Sequence, residues 1–261
     1  MKRLAVANQK GGVGKTTTAI SLAAALSVLE KRVLLVDFDP QGNTTGGLGV
    51  EKGSLERTVY DWILGNAALS EVARPTELAG LKLIPASRDL VGAEIELVGV
   101  EEREYLLARK LDGLADEFDY VFIDCPPSLG LLTLNALTAA DGVLVPIQCE
   151  YYALEGVSEL VSTIERVREG LNPTLAIAGV VATMLDERLN LSRQVLEEIR
   201  KYFGEVFLEP PVPRNVRLGE APSFGKPIFL YDIRSRGAEA YLAIAREILR
   251  RDLAGGNGGQ P

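Results

Sequence analysis

Short runs of apolar residues alternate along this chain with longer amphipathic stretches. The runs are rich in Val, Ile and Leu and lack the polar–apolar alternation of a strand with one face in water. Such continuous runs are typical of strands covered on both faces, as in a parallel sheet between two layers of helices. They predict seven strands, at 4–7, 33–37, 81–85, 120–124, 143–147, 176–183 and 206–210.

The amphipathic stretches are long enough for helices, which we predict at 15–29, 88–98, 103–117, 154–169, 191–203 and 237–253. This alternation implies right-handed crossovers and a doubly wound α/β fold, with a mostly parallel sheet flanked by helices. No linker or repeat divides the chain, so residues 1–253 are predicted to form a single domain. The glycine-rich stretch 254–261 is predicted to be a disordered tail.

The turn after the first predicted strand holds the clearest functional motif, Lys10-Gly11-Gly12-Val13-Gly14-Lys15-Thr16-Thr17. Glycines let backbone N–H groups turn inward around an anion, and the N-terminus of the following helix adds its dipole. A strand, such a loop and a helix in that order predict a phosphate-binding P-loop. The strict P-loop pattern is not met, because Gln9 stands at its first glycine position.

Each polar residue of this loop has an expected role in binding a nucleotide. Lys15 would reach the β- and γ-phosphates, Thr16 would ligate Mg²⁺, and Thr17 would face the α-phosphate. Two lysines in one small loop repel each other unless a multiply charged anion lies between them. Lys10 therefore serves either its own nucleotide or that of a neighbouring subunit, and we keep both alternatives. Both Lys10 and Lys15 are expected to take part in catalysis by neutralising charge.

Carboxylates follow two of the predicted strands. Asp37 ends the second strand and Asp39 follows it, while Asp124 ends the fourth, at the edge of the sheet where ligands bind in such folds. Asp124 matches the acid that holds Mg²⁺ together with Thr16. Asp39 is expected to contact the metal and to position or activate the attacking water, with Asp37 behind the metal. Chemistry that rests on positioning alone predicts slow turnover, as in a switch.

The amino-acid composition excludes several kinds of site and indicates where the protein resides. The 261 residues include no histidine, which excludes His-ligated zinc and an imidazole base. The two cysteines, Cys125 and Cys149, lie in apolar segments and are predicted to be buried free thiols. No apolar run approaches the roughly 18 residues of a spanning helix and no signal-peptide pattern opens the chain, so we expect a cytoplasmic protein. A net charge of −8 argues against nucleic-acid binding over the whole surface, but a local basic patch stays compatible with it.

These motifs together resemble the ParA/Soj branch of the deviant-Walker P-loop ATPases, which partition chromosomes and plasmids. The resemblance covers nearly the whole chain, to about Leu253. Four segments carry it, NQKGGVGKTT at 8–17, LLVDFDPQGN at 34–43, DCPPS at 124–128 and PRNVRLGEAPSFGKP at 213–227. Two shorter segments, EYYALEG at 150–156 and YDIRSRG at 231–237, extend the match beyond general P-loop features.

The resemblance implies a cycle driven by ATP and Mg²⁺. Lys10 would contact the partner subunit's nucleotide across an ATP-bound homodimer, and Gly11 would have to be small for the subunits to approach. Asp39 would be needed for hydrolysis, while Pro213 and Asn215 would border the adenine. The dimer would bind DNA without sequence preference, and a ParB- or Spo0J-type partner would stimulate hydrolysis. Such a protein would associate with the nucleoid.

A local excess of basic residues supports the implied DNA contact. Between Pro210 and Gly237 the chain has five basic residues and two acidic ones, a local charge of +3. The resemblance assigns DNA phosphate contacts to Arg188 and Arg217, and Arg214 is expected to join them. Phosphate contacts alone would give binding that is independent of sequence and steeply dependent on salt.

Three alternatives stay open from the sequence. A MinD-like membrane ATPase would need a basic amphipathic C-terminal helix, whereas the apolar spacing of 237–253 favours a helix packed on the domain. An electron-transfer ATPase with an iron–sulfur cluster would need two exposed cysteines. A nucleotide-gated scaffold would bind ATP without hydrolysing it, and Asp39 would then have no hydrolytic role.

Overall fold

The computed structural model describes residues 1–151, 153 and 155–256. The strands within this part of the chain are β1 (Lys2–Val6), β2 (Val33–Asp37), β3 (Arg74–Pro75), β4 (Leu81–Ile84), β5 (Tyr120–Asp124), β6 (Gly142–Gln148) and β7 (Ala176–Thr183). They form one sheet in the order β3-β4-β2-β5-β1-β6-β7. Neighbouring strands are parallel except for the short β3, which is antiparallel to β4.

The helices of the described residues are α1 (Lys15–Val28), α2 (Asn43–Gly47), α3 (Val59–Ile63), α4 (Leu69–Val72), α5 (Leu90–Glu96), α6 (Leu106–Asp112), α7 (Leu131–Ala139), α8 (Glu155–Gly170), α9 (Asn190–Phe203), α10 (Val216–Glu220), α11 (Ile228–Tyr231) and α12 (Arg236–Gly256). Short 3₁₀ turns lie at Lys52–Ser54, Leu97–Gly99, Arg103–Tyr105, Gly204–Val206 and Ala221–Phe224. The predicted doubly wound α/β class is therefore confirmed.

Both faces of the sheet are covered, which explains the uninterrupted apolar runs. In β2, Leu34 and Val36 face one core cluster, which also holds buried side chains of α5, α6, α7 and α8. Val33 and Leu35 face the other cluster, formed mainly with α1 and α12. Since successive side chains of a strand point to opposite faces, a strand covered on both sides is apolar at every position.

Six of the seven predicted strands are present, and the prediction of a strand at 206–210 is wrong. That segment contains the end of a 3₁₀ turn, and Phe207 makes a single bridge to Val180. Pro210 and Pro211 have no N–H to donate to a ladder, so a regular strand cannot continue there. The predicted helix at 103–117 is also shorter than expected, since α6 ends at Asp112 before Gly113.

The last helix packs on the domain, as its apolar spacing predicts. Its side chains buried against the α1 side of the sheet are Ala238, Ala240, Tyr241, Ile244, Ala245 and Ile248. The helix runs to Gly256, beyond the predicted domain end at 253 and into the predicted tail, whose last residues, 257–261, lie outside the described part. Residue 154, the predicted start of α8, also lies outside it. Within the described residues no helix is both long and apolar enough to cross a bilayer.

Candidate nucleotide-binding site

The turn between β1 and α1 has the backbone of an anion-binding loop. Gly12 has a φ of +77° and Gly14 a φ of +91°, in the left-handed region where side chains other than glycine are strained. α1 begins at Lys15, directly after Gly14, so the free N–H groups and positive dipole of its first turn lie at the loop. Glycine is therefore favoured at these two positions by the backbone conformation of the loop.

Two polar side chains tie this loop to the neighbouring strands. Asn8 donates from Nδ2 to the carbonyl of Pro146 at 2.7 Å and accepts from the N–H of Lys10 at 3.0 Å. At the other end, the Thr183 hydroxyl donates to the carbonyl of Val13 at 2.8 Å. Because Pro146 belongs to β6 and Thr183 to β7, the loop is held against the edge of the sheet where both strands end.

The two lysines of the loop point to different partners. Lys15 is 8% exposed, and its Nζ donates to the backbone carbonyl of Lys10 at 3.1 Å. Burial lowers the pKa of Lys15, an effect that the negative charge of Asp124 opposes. The Lys10 ammonium instead lies 3.6 Å from a carboxylate oxygen of Glu150, after β6. Repulsion between the lysines is thereby reduced by separate partners.

Asp124 lies at the centre of the site. It is fully buried, and its Oδ2 accepts hydrogen bonds from the hydroxyls of Thr16 (2.8 Å) and Thr44 (2.7 Å). Burial raises the pKa of Asp124 to about 6, against the opposing effect of the two hydroxyls. Its other oxygen, Oδ1, is buried without a hydrogen-bond partner among the described residues. An orphaned buried carboxylate oxygen is costly unless a ligand completes it.

Asp37 anchors the segment after β2. It lies beside Asp124, since the two residues are partners in the β2–β5 register. Its Oδ2 accepts from the N–H (2.7 Å) and the hydroxyl (2.6 Å) of Thr45. The Thr45 hydroxyl also accepts from the N–H of Ala86, after β4, at 2.9 Å. Burial and the neighbouring Asp124 raise the pKa of Asp37 to about 7.

Asp39 opens onto a cavity of about 350 Å³ above the loop. It is 7% exposed, and its Oδ1 accepts from the N–H of Gln41 at 2.9 Å. The structure thus brings Asp39 together with most of the predicted phosphate-loop residues. The lining residues are Gly11, Gly12, Gly14, Lys15, Thr16, Thr17, Asp39, Gln41, Asn43, Pro127 and Met184.

A second cavity, of about 240 Å³, adjoins the first and contains the predicted adenine-bordering residues Pro213 and Asn215. The two cavities share Gly14, Thr17 and Met184. Further lining comes from Thr183, Val212, Arg214, Val216, Leu218, Gly219 and Tyr241. A mainly apolar pocket beside a phosphate loop suits a flat heterocycle whose phosphates extend into the loop.

Several of these residues were not predicted from the sequence. Thr44 and Thr45 lie in the polar run that directly follows Asp39, so their position was a usable signal. Met184 follows β7 with a φ of +53°, a conformation rare outside glycine that the sequence does not announce. Tyr241 comes from α12, far along the chain, and bonds the Thr18 hydroxyl at 2.9 Å.

The predicted DNA-binding arginines are exposed, and two of them have carboxylate partners. Arg188 pairs with Asp186 at 2.7 Å, and Arg217 pairs with Glu220 at 2.9 Å. Arg214 is exposed and has no salt bridge among the described residues. The local charge is therefore lower than the +3 counted along 210–237, because carboxylates from another segment, Asp186 and Glu187, lie at this surface.

Both cysteines are buried and free, as predicted. Burial raises the pKa of Cys125 and raises that of Cys149 to about 11, so neither thiol is poised to lose its proton. No group of three or more acids or cysteines within the described residues could hold a metal by itself. The buried position of both thiols argues against a shared iron–sulfur cluster.

A parallel sheet, a glycine-rich loop leading into α1 and a buried acid bonded to the first threonine of that helix define a P-loop nucleoside triphosphatase. A family model described as an AAA domain matches residues 1–177. The chain is 57% identical to the chromosome partitioning protein ParA of Myxococcus xanthus, over 95% of this chain and 88% of that protein. It is 56% identical to the sporulation initiation inhibitor protein Soj of Bacillus subtilis, over 95% of this chain and 98% of that protein.

A solved structure is similar over the same length. It is named cobyrinic acid a,c-diamide synthase from Mycobacterium smegmatis with bound ADP and magnesium, and it superposes with a TM-score of 0.86 at 43% identity. The match covers 98% of this chain and 96% of that one. The chain belongs to the ParA/Soj family of P-loop partitioning ATPases.

Proposed function

We propose that this chain is a slow, Mg²⁺-dependent ATPase that acts as a switch in chromosome or plasmid segregation. With ATP it forms a homodimer that binds DNA without sequence preference, and a ParB- or Spo0J-type partner stimulates hydrolysis. The observation that carries the proposal is the convergence of Lys15, Thr16 and Asp39 on one cavity, with Asp124 bonded to Thr16 behind it. Relatives more than half identical that are named chromosome partitioning proteins support the cellular role.

The residues present fit a Mg²⁺ ion. Hard cations prefer oxygen ligands, and the site has hydroxyls of Thr16 and Thr44, the carboxylate of Asp39 and the unpartnered Oδ1 of buried Asp124. Thr16, Asp39 and Asp124 would hold the ion directly or through water. When bound, Mg²⁺ neutralises charge on the phosphates. The part of the chain that the structure describes holds no metal-binding group of three acids, which agrees with a site that nucleotide oxygens complete.

Hydrolysis then depends on what the protein side chains do around the γ-phosphate. Backbone N–H groups of the loop and the Lys15 ammonium hold the phosphates and stabilise negative charge. Asp39 orients the attacking water and accepts its proton while the bond between the γ-phosphorus and the bridging oxygen breaks. Because the site offers no imidazole and Asp39 also bonds Gln41, we expect turnover to be slow until a partner adjusts this segment.

Gly11 supports the dimer part of the proposal. A Cβ added at Gly11 would meet nothing within 4 Å, and its φ lies outside the left-handed region. The fold of one chain therefore does not require glycine there, whereas close approach of a second subunit would. Lys10, one residue earlier and partly exposed, would leave Glu150 and contact the partner's nucleotide.

The exposed surface that carries Arg188, Arg214 and Arg217 supports DNA binding, because DNA phosphates can replace the carboxylates in its ion pairs. Arg188 and Arg217 have side chains that are 87% and 54% exposed, so DNA phosphates can reach them and replace Asp186 and Glu220. Because an exposed ion pair contributes little to stability, replacing its carboxylate by a DNA phosphate costs little free energy. A dimer would present the surface twice, and the two weak contacts would reinforce each other.

The test measures DNA binding by the wild-type chain, Lys15→Ala and Arg217→Ala, each with ATP and with ADP, across a salt series. We expect strong, salt-dependent binding only for the wild type with ATP. Lys15→Ala should lose DNA binding because it no longer holds the nucleotide. Arg217→Ala should keep ATP binding, and its DNA affinity should fall less steeply with salt concentration. Equal DNA binding with ATP and ADP would contradict a nucleotide-controlled switch.

A further inference from the structure

Two glycines from distant parts of the chain cross with their backbones in contact. Gly49 lies after α2 with a φ of +78°, and Gly225 follows the 3₁₀ turn at Ala221–Phe224 with a φ of +65°. A Cβ at Gly225 would lie 2.5 Å from the Cα of Gly49, and a Cβ at Gly49 would lie 2.9 Å from the carbonyl oxygen of Gly225. Because these neighbours are backbone atoms, they cannot move aside by a change of side-chain rotamer. We call this contact the glycine crossing.

On one side, a short run of backbone hydrogen bonds connects the glycine crossing to the phosphate cavity. The N–H of Gly42 donates to the carbonyl of Asp39 at 2.8 Å. The N–H of Gly46 donates to the carbonyl of Gly42 at 3.1 Å, and the N–H of Gly49 donates to the carbonyl of Gly46 at 3.0 Å. A displacement of Gly49 is therefore passed along α2 to residues 39–43, the segment that carries Asp39 and lines the cavity.

On the other side, the glycine crossing is connected to a wall of the second cavity, the mainly apolar one of about 240 Å³. The N–H of Gly225 donates to the carbonyl of Pro222 at 3.0 Å. One residue earlier, the N–H of Ala221 donates to the carbonyl of Arg217 in α10. The α10 residues that line the second cavity are Val216, Leu218 and Gly219. The position of α10 and that of the glycine crossing are thus linked.

We propose that the glycine crossing transmits occupancy of the second cavity to the Asp39 segment, so that the base of the nucleotide sets the rate of hydrolysis as well as the affinity. Gly49 and Gly225 line neither cavity, so they act as positioning residues. A base seated against α10 would fix that helix and, through the crossing, α2 and Asp39. Binding energy from a remote part of the substrate would then orient the attacking water. The effect on hydrolysis rests on the proposed function.

Hydrogen exchange of backbone amides measures this coupling without any turnover. Exchange over residues 42–50 is followed by mass spectrometry with ADP or with pyrophosphate, each with Mg²⁺ at a concentration that calorimetry shows to be saturating. Pyrophosphate supplies two phosphates without base or ribose. We expect ADP to slow exchange here about fivefold or more relative to pyrophosphate, because an occupied second cavity suppresses local opening of α2. Equal exchange with the two ligands would overturn the proposal, and this comparison needs no variant.

The variant Gly225→Asn disrupts the glycine crossing. Asparagine tolerates a positive φ, but its Cβ collides with the backbone of Gly49. The control Gly65→Asn places the same side chain between α3 and α4, at a φ of +85° where a Cβ meets nothing within 4 Å. The difference in exchange between the two ligands should disappear in Gly225→Asn and persist in Gly65→Asn. A full difference in Gly225→Asn would overturn the proposal.

Single-turnover phosphate release from ATP is measured separately for the wild type and both variants. Gly225→Asn should release phosphate about tenfold more slowly, with a Kd for Mg-ATP that changes only a few-fold, because a small displacement far from the reacting atoms is enough to slow the reaction. Gly65→Asn should match the wild type. Equal release by Gly225→Asn and a hydrolysing wild type would overturn the proposal. If the wild type does not hydrolyse ATP, the proposed function fails, while the exchange ratios still decide whether the crossing couples the two cavities.

Discussion

Lys10 lies 3.6 Å from Glu150, and this ion pair turns the second lysine of the phosphate loop away from Lys15. Glu150→Gln removes the counter-charge and leaves two lysines at the loop. Since an exposed pair is worth up to about 1 kcal/mol, we expect Mg-ATP to bind up to about fivefold more tightly at low salt. Calorimetric titration at low and high salt checks this.

The control for that variant is Glu205→Gln, which makes the same charge change at an exposed residue after α9. It should not change the Kd for Mg-ATP beyond experimental error. If Glu150→Gln instead binds nucleotide more weakly than the control, Glu150 holds Lys10 in a productive position.

Gly11→Val should give a folded protein that binds Mg-ATP and stays a monomer. A Cβ at Gly11 has open space within the chain, so the free energy of unfolding should change by no more than about 0.5 kcal/mol. The contrasting variant is Gly14→Val, where a φ of +91° and nearby Thr183 predict loss of nucleotide binding. Light scattering and calorimetry separate the two effects. An ATP-dependent Gly11→Val dimer would refute the proposed reason for glycine.

The sequence was sufficient for six of the seven strands, all but the two-residue β3, but not for every helix. β2 and β5 were predicted at their observed bounds because strands covered on both faces show uninterrupted apolar runs. α7 was missed although it has nine residues, because seven of them are buried and the other two, Leu131 and Leu134, are half-buried, so the helix has no solvent-exposed polar side. A helix without a polar stripe has no period to detect.

The candidate site, too, could be predicted only in part from the sequence. The phosphate loop was predictable, since the backbone angles at positions 12 and 14 favour glycine and the glycines are visible in the sequence. Met184 and Tyr241 reach the site through the packing of separate segments, and nothing in their local sequence specifies that contact. The acid that faces Arg236, Glu187, likewise becomes visible only in three dimensions.

Asp39→Asn should bind Mg-ATP and hydrolyse it very slowly. Asparagine keeps the size of the side chain and an oxygen for the N–H of Gln41, but it cannot accept a proton from water. We expect a loss of about 100-fold or more in single-turnover phosphate release, with a Kd for Mg-ATP that changes only a few-fold. Asp116→Asn, an exposed change before β5 at the opposite end of the sheet, is the control. Unchanged hydrolysis in Asp39→Asn would show that Asp39 has no hydrolytic role.

Asp37 should make the nucleotide-free protein less stable as pH rises. Its pKa in the fold is about 7 against 3.8 as the ordinary value, so near pH 5 the folded chain keeps a proton that the unfolded chain has lost. The free energy of unfolding therefore falls between about pH 4 and 7 and levels above that, by an amount on the order of 1–4 kcal/mol. Asp37→Asn cannot ionise, so its stability should change less over this range. Asp124 contributes a smaller slope of the same sign to both proteins.

Urea unfolding at pH 5 and pH 8, with chelator and without nucleotide, measures this difference in slope. The comparison between the two pH values matters, because Asp37→Asn also alters the hydrogen bonds from Thr45 at every pH. Asp116→Asn serves again as the control and should show the pH dependence of the wild type. If Asp37→Asn loses as much stability between pH 5 and 8 as the wild type does, Asp37 is already ionised in the folded chain at pH 5. Burial beside Asp124 would then not hold its proton.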